Sequence, residues 1–181
     1  MTRISWLKVT TIAAVTGALS AIAVGATPAA IQSNVDGAMT QFYSQGNNHR
    51  ALAEKASAIL VFPKVTKAGA GVGGEYGEGA LQVHGKTVGY YKVRGASVGA
   101  TLGAEQRSEV ILFMTENAKE KFLSGGDWTI GADTNVAFVK GAGAQLNNET
   151  LSKPVLAYVF NEKGLMADAS LEGAKVSKLA K

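Results

Sequence analysis

A glycine-rich segment between Phe62 and Ala80 restricts the possible folds more than any other feature of the chain. Six of its residues are glycines, namely Gly69, Gly71, Gly73, Gly74, Gly77 and Gly79. A helix is disfavoured, because each interior glycine costs about 1 kcal/mol relative to alanine. In a strand, by contrast, successive side chains alternate between the two faces. One face would then carry Ala68, Ala70, Val72 and Tyr76. The other would be nearly bare backbone, with Lys67, Gly69, Gly71, Gly73 and Glu75.

The same glycines also match a nucleotide-binding pattern, since Gly69, Gly71 and Gly74 fit GxGxxG. That fingerprint binds a pyrophosphate only where a strand turns into a helix and an acidic residue follows about 20 residues later. No Asp or Glu lies between Glu78 and Glu105. We therefore interpret the glycines as structural, allowing a tightly curved sheet or close packing, in preference to a ligand contact.

The first 26 residues have the features of a secretory signal peptide. Arg3 and Lys8 precede an uncharged run that ends in small residues at Ala26. We expect cleavage before Thr27 or before Ala30, in preference to a retained membrane anchor, because 18 uncharged residues are at the lower limit for spanning a bilayer. The expected location is the periplasm or the medium, and residues 31–181 form one domain.

Composition excludes several functions. The chain has no cysteine, so disulfides, thiolate chemistry and a lipid-modified cysteine are excluded. Removing Arg3 and Lys8 from 18 basic and 14 acidic residues leaves a net charge of only +2. A charge this small does not indicate nucleic-acid binding. We expect no metal or other cofactor, since neither His49 nor His84 belongs to a metal-ligand motif and both are predicted to be solvent-exposed.

Hydrophobic periodicity predicts an α+β domain on a curved antiparallel sheet or barrel of about eight strands. Helical spacing predicts an amphipathic helix over 29–43. A short helix is expected over 49–56, and another over 116–123 because Glu116 at its start, Lys119 and Lys121 further along and glycines after its end are typical of a helix. Strands are expected beside the glycine segment and further along the chain, at 59–62, 87–93, 96–104, 109–115, 128–139, 155–160 and 165–171. The runs VILFM and VLAYVF are apolar without alternation, which predicts central strands.

Several of these segments together resemble the SYLF lipid-binding domain family. The resemblance runs from about Ile31 to Leu179. It is carried by AILVFPKVTKAG, GVGGEYGEGAL, Tyr90-Tyr91, ASVGATLGAEQRSEVILFM, Asp127-Trp128 and the NEKGLM turn.

The resemblance implies a non-enzymatic lipid-binding protein. The family includes secreted bacterial proteins and eukaryotic regulators that bind phosphoinositide membranes and, in yeast, actin. Phosphatidylinositol binding fits an exported protein less well than binding of other anionic phospholipids, and we do not expect it to meet actin. Phosphate headgroups bind to converging cationic groups. The candidate lipid-binding residues are Lys64, Lys67, Lys92, Arg94, Lys119, Lys121 and Trp128. The Trp128 ring suits either a membrane interface or the core.

Two alternatives remain at this point. One is a cell-envelope module that binds another protein through a sheet edge or an apolar patch. The other is a serine hydrolase, because Gly95 to Gly99 matches GxSxG around Ser97. Both histidines precede Ser97, the reverse of the order in that fold, so we disfavour catalysis.

Overall fold

A computed structural model describes residues 25–139, 147–161, 164–166 and 171–180. The expected signal peptide lies almost entirely outside these residues. Four helices are present in the described ranges: α1 (Pro28–Ser44), α2 (His49–Lys55), α3 (Glu116–Ser124) and α4 (Asn148–Leu151). The strands are β1 (Ala58–Val83), β2 (Lys86–Phe113), β3 (Trp128–Thr129), β4 (Val136–Val139), β5 (Val155–Asn161), β6 (Gly164–Leu165) and β7 (Lys175–Lys178).

The predicted α+β class and curved sheet are confirmed. The sheet follows the order β3-β7-β2-β5-β4, with β1 paired to β2 and β6 paired to β5. All of these pairs are antiparallel except β4 with β5. The long hairpin of β1 and β2 curls into a half-barrel, and the other strands add to its edges. The segments predicted as separate strands at 87–93, 96–104 and 109–115 form the single strand β2.

Local sequence explains where these elements begin and turn. The Thr27 side chain accepts a hydrogen bond from the Ala30 amide and so caps α1, and Thr115 caps α3 in the same way through Ala118. His84 and Gly85 connect β1 to β2 with φ angles of 49° and 74°. Positive φ at both positions is typical of a tight hairpin turn. No helix among the described residues is long and apolar enough to cross a membrane.

The sheet has an apolar core on each side. Leu60, Phe62, Ile111 and Phe113 belong to the core inside the curl, where α3 also packs. Intervening residues such as Val61 face the opposite core, against α1 and α2. Strand β5 contributes alternate residues to both cores, so both of its faces are covered. This confirms the central position predicted from its unbroken apolar run.

Close approach within β1 depends on two of the glycines. A Cβ atom at Gly77 would lie 2.7 Å from Val65 Cγ2 and 3.0 Å from the Lys64 carbonyl oxygen. A Cβ at Gly79 would lie 2.7 Å from Phe62 Cδ1 and closer still to the Val61 carbonyl oxygen. The second half of β1 therefore lies directly over the backbone of its first half, as a side-chain-free surface permits.

An added Cβ atom at Gly69 or Gly74 would meet different surroundings from those at Gly77 and Gly79. A Cβ at Gly69 would collide with the backbone of Val72 and Gly73, which marks a sharp bend in β1. At Gly74, by contrast, the nearest atom to an added Cβ is a carbonyl oxygen 3.6 Å away, an ordinary contact distance. Bare backbone is thus required at some positions of the segment and not at others.

We predict that Gly79→Ala lowers the free energy of unfolding by about 1–3 kcal/mol, because a methyl group there overpacks the contact with Val61 and Phe62. Gly74→Ala is the matched control on the same strand, and its effect should be much smaller. Chemical denaturation of the two variants measures the difference. Equal destabilisation by both would contradict close packing at Gly79.

Candidate functional site

A charge cluster is buried inside the curl of the half-barrel. Arg107 Nη2 lies 2.6 Å from Glu75 Oε2, and Arg107 Nε lies 2.9 Å from Glu109 Oε1. Arg107 and Glu109 are two apart on β2, so they share a face, whereas Glu75 reaches them from the second half of β1. The Arg107 side chain is only 2% exposed. The cluster therefore joins the two halves of the curl from inside.

Glu109 is the most unusual member of this cluster. Its side chain is fully buried, and its Oε2 atom has no hydrogen-bond partner among the described residues. Burial raises the pKa of Glu109 to about 7, against the opposing effect of Arg107. Burial alone would lower the pKa of Arg107, but Glu109 and Glu75 raise it, so the guanidinium stays charged. One proton on Glu109 makes the group of three electrically neutral.

A polar cleft of about 590 Å³ lies next to this cluster, between α1 and the neighbouring strands. Four amide side chains line it: Asn34, Gln41, Gln106 and Asn161. Gln41 Nε2 donates a 2.7 Å hydrogen bond to the Asn161 carbonyl oxygen and so holds α1 against the end of β5. Lys64 and Arg107 also line the cleft, and no carboxylate does so among the described residues. The wall therefore suits a polar, negatively charged ligand.

A β-bulge positions Lys64 at the rim of this cleft. The register of β1 against β2 shifts between Phe62 and Val65, which places an extra residue in β1. Lys64 is exposed, and in the part of the chain that the structure describes it forms no ion pair. Its charge is thus available to a ligand.

A second cleft of about 510 Å³ adjoins the first, and Asn34, Pro63 and Lys64 line both. The remainder of its wall is more apolar, with Ile31, Leu179 and the Tyr76 ring. The Tyr76 hydroxyl donates a 2.7 Å hydrogen bond to Glu78. Burial, followed by this bond, raises the pKa of Tyr76 to about 12, so the phenol stays protonated.

The remaining predicted lysines and Arg94 occupy different surroundings from Lys64. Lys67 lies opposite Glu105 in the β1–β2 register, and Lys92 lies opposite Glu78. The Arg94 guanidinium carbon lies 6.0 Å from the centre of the Tyr76 ring. On α3, Lys119 pairs with Glu116, and Lys121 is exposed in the last turn. Only Lys64 of the predicted residues lines either of the two clefts.

Trp128 belongs to the core, which was one of its two predicted roles. The side chain is 5% exposed, and its ring lies 5.6 Å from Phe113 and 5.3 Å from Phe122, centre to centre. Its Nε1 donates to Thr134 Oγ1 at 3.4 Å. The indole is therefore enclosed by apolar rings and is not placed for contact with a membrane.

The histidines differ from each other in burial. His84 lies exposed in the β1–β2 turn, as expected. The expectation of a solvent-exposed His49 was wrong, because this ring is 6% exposed and stacks on Phe42 with centres 4.6 Å apart. His49 Nδ1 donates a 2.9 Å hydrogen bond to the Phe42 carbonyl oxygen. The bond satisfies a polar group between α1 and α2.

The serine-hydrolase alternative gains no support from the geometry. Ser97 lies within β2, opposite Gly73 in an extended antiparallel pair, whereas a nucleophile elbow needs a turn from strand to helix. No three His, Asp or Glu side chains converge on a possible metal position within residues 25–139, 147–161, 164–166 and 171–180.

Sequence reasoning missed Arg107 and Glu109, although a signal was present. Both share the strand face of Ile111 and Phe113, which is apolar and buried. Charged residues that continue an apolar face are candidates for a buried ion pair. The amides of the polar cleft gave no such signal, because their positions are distant in sequence.

We predict that unfolding stability falls as pH rises from about 4.5 to about 7, because folded Glu109 binds its proton more tightly than the unfolded chain does. The expected loss is up to about 3 kcal/mol. Glu109→Gln keeps the shape but does not titrate, so this slope should flatten. Denaturation at a series of pH values tests this, and an unchanged slope in the variant would contradict the assignment.

A comparison with known protein families finds a match to part of the chain. Residues 94–180 match the family described as Ysc84: Las17-binding protein actin regulator. The match begins in β2 and includes every later element of the described structure. No curated protein matches the chain. Residues 94–180 thus match the Ysc84, or SYLF, family, and the resemblance found in the sequence is confirmed over this segment.

Proposed function

We propose that this domain is a non-enzymatic module that binds anionic phospholipid headgroups at a membrane surface. The observation that carries the proposal is the polar cleft, where Lys64 stands exposed beside amide donors with no carboxylate in the described wall. A phosphate oxyanion accepts hydrogen bonds from both kinds of group. The match of residues 94–180 to the SYLF family supports the same class of ligand.

The expected binding is weak and reversible. A net charge of +2 after loss of the signal peptide gives little long-range attraction, so affinity depends on a local basic group. Each Lys or Arg close to an anionic surface contributes about 1 kcal/mol. The charge of Lys67 faces Glu105 in the sheet register, so we expect Lys64 to contribute more.

Location and partners also belong to this proposal. The uncharged run that ends at Ala26 supports export to the periplasm or the medium. The family description names a Las17-binding actin regulator, but an exported protein would not meet actin, so we do not extend that partner to this chain. Phosphatidylglycerol and cardiolipin are the anionic lipids that we would test first.

We predict that Lys64→Glu lowers affinity for phosphatidylglycerol or cardiolipin vesicles severalfold or more, because it reverses the charge at the cleft. Lys67→Glu should have a smaller effect. Lys86→Glu, at the exposed start of β2, is the matched control for net charge. The measurement is vesicle sedimentation at low and high salt, since salt shortens the Debye length from about 8 Å and weakens the attraction.

Two outcomes would refute the proposal. If the folded wild-type chain sediments with no vesicle at low salt, lipid binding is wrong and a protein partner in the cell envelope becomes the better hypothesis. If Lys86→Glu weakens binding as much as Lys64→Glu, the attraction depends on net charge and the cleft is not the site. Neutral phosphatidylcholine vesicles serve as the lipid control.

A further inference from the structure

The two clefts beside Lys64 meet at one place in the fold. Asn34 on α1 and Pro63-Lys64 at the β1 bulge line both of them. The clefts measure about 590 and 510 Å³, and each is within the usual size range of small-molecule sites, about 300–1,000 Å³. A ligand that passes Lys64 can therefore occupy both.

The two clefts differ in chemistry. Beyond Lys64 on one side, the wall consists of the amides of Gln41, Gln106 and Asn161. On the other side it consists mainly of apolar groups from Ile31, Leu179 and Tyr76. Glu78 is the one carboxylate in the described apolar wall, and it accepts a 2.7 Å hydrogen bond from the Tyr76 hydroxyl. Its charge is thus partly compensated.

Polarity and charge together specify one kind of molecule. An amide-lined end suits hydroxyls and ester oxygens, an ammonium group at the centre suits a phosphate, and an apolar end suits a hydrocarbon chain. We propose that the two joined clefts bind a single phospholipid molecule with one acyl chain, with its phosphate at Lys64. This inference rests on the proposed function and adds to it that the ligand is an individual lipid, bound away from the bilayer.

The orientation of the ligand follows from the same walls. The headgroup lies between α1 and β2 beside Gln41 and Gln106, and the phosphate lies at the bulge. The acyl chain extends past Pro63 towards Leu179, where Ile31 forms part of the wall. Ala38 and Ile31, which line the two clefts, also belong to the core beneath α1, so the clefts lie against that core.

The test uses monomeric 1-acyl-phosphatidylglycerol below its critical micelle concentration, added to the full chain. We expect a one-to-one complex by native mass spectrometry and by titration calorimetry. Glycerol phosphate lacks the acyl chain and should bind at least tenfold more weakly, because it leaves the apolar cleft empty. An uncharged single-chain detergent should also bind more weakly, because it places no anion at Lys64.

A pair of tryptophan variants tests the location. Asn34 is exposed on α1 at the junction of the clefts, so Asn34→Trp should fill the junction and lower affinity for the single-chain lipid at least tenfold. Ser33→Trp is the matched control, because Ser33 is also exposed on the same helix and lines neither cleft. Circular dichroism and thermal unfolding should show both variants folded.

The outcomes separate this inference from the proposed function. If the chain sediments with phosphatidylglycerol vesicles but forms no one-to-one complex with the monomeric lipid, the inference is wrong and the surface-binding function stands. Equal affinities of the two tryptophan variants would also overturn it. If neither vesicles nor monomeric lipid bind, both proposals are wrong.

Discussion

The absence of side chains at Gly77 and Gly79 is the constraint on which the rest of the structure depends. These two positions let the second half of β1 lie on the backbone around Val61 and Val65, so a hairpin of two very long strands can curl into a half-barrel. Without that contact the hairpin would extend as a two-stranded ribbon, which is marginally stable in water. The curl encloses one core, and its outer surface receives α1 and α2.

The curl also determines the electrostatics of the molecule. It brings the partly buried Glu75 onto Arg107 and Glu109, which are distant from it in sequence and fully enclosed. A buried ion cluster does not by itself add much stability, because removing charges from water offsets their attraction. The cluster instead favours one conformation of the chain, because the three charges compensate one another only when β1 bends at the observed place. Burial away from water, with a smaller contribution from the Glu75 charge, raises the pKa of Glu109 to about 7, so this carboxyl retains its proton.

The proposed ligand site depends on a local irregularity of the same strand. The bulge before Val65 displaces Lys64 from the regular alternation and places it at the rim of the cleft beside α1. Four of the other candidate basic residues lie opposite acidic partners or near an aromatic ring, namely Lys67, Lys92, Lys119 and Arg94. A chain with little net charge can in this way present one cationic position where polar and apolar walls meet.

The sequence by itself determined the α+β class, the amphipathic α1, the central β5 and the resemblance to the SYLF family, because hydrophobic periodicity and motif order can be read from the residues alone. It also indicated that the glycine segment would pack closely. Only the tertiary structure decided which glycines do so, that β2 is one strand, that Trp128 and His49 are buried, and that Lys64 stands apart from the other candidate lysines. These depend on strand bending and register shifts, which bring together residues distant in the chain, and no local pattern specifies them.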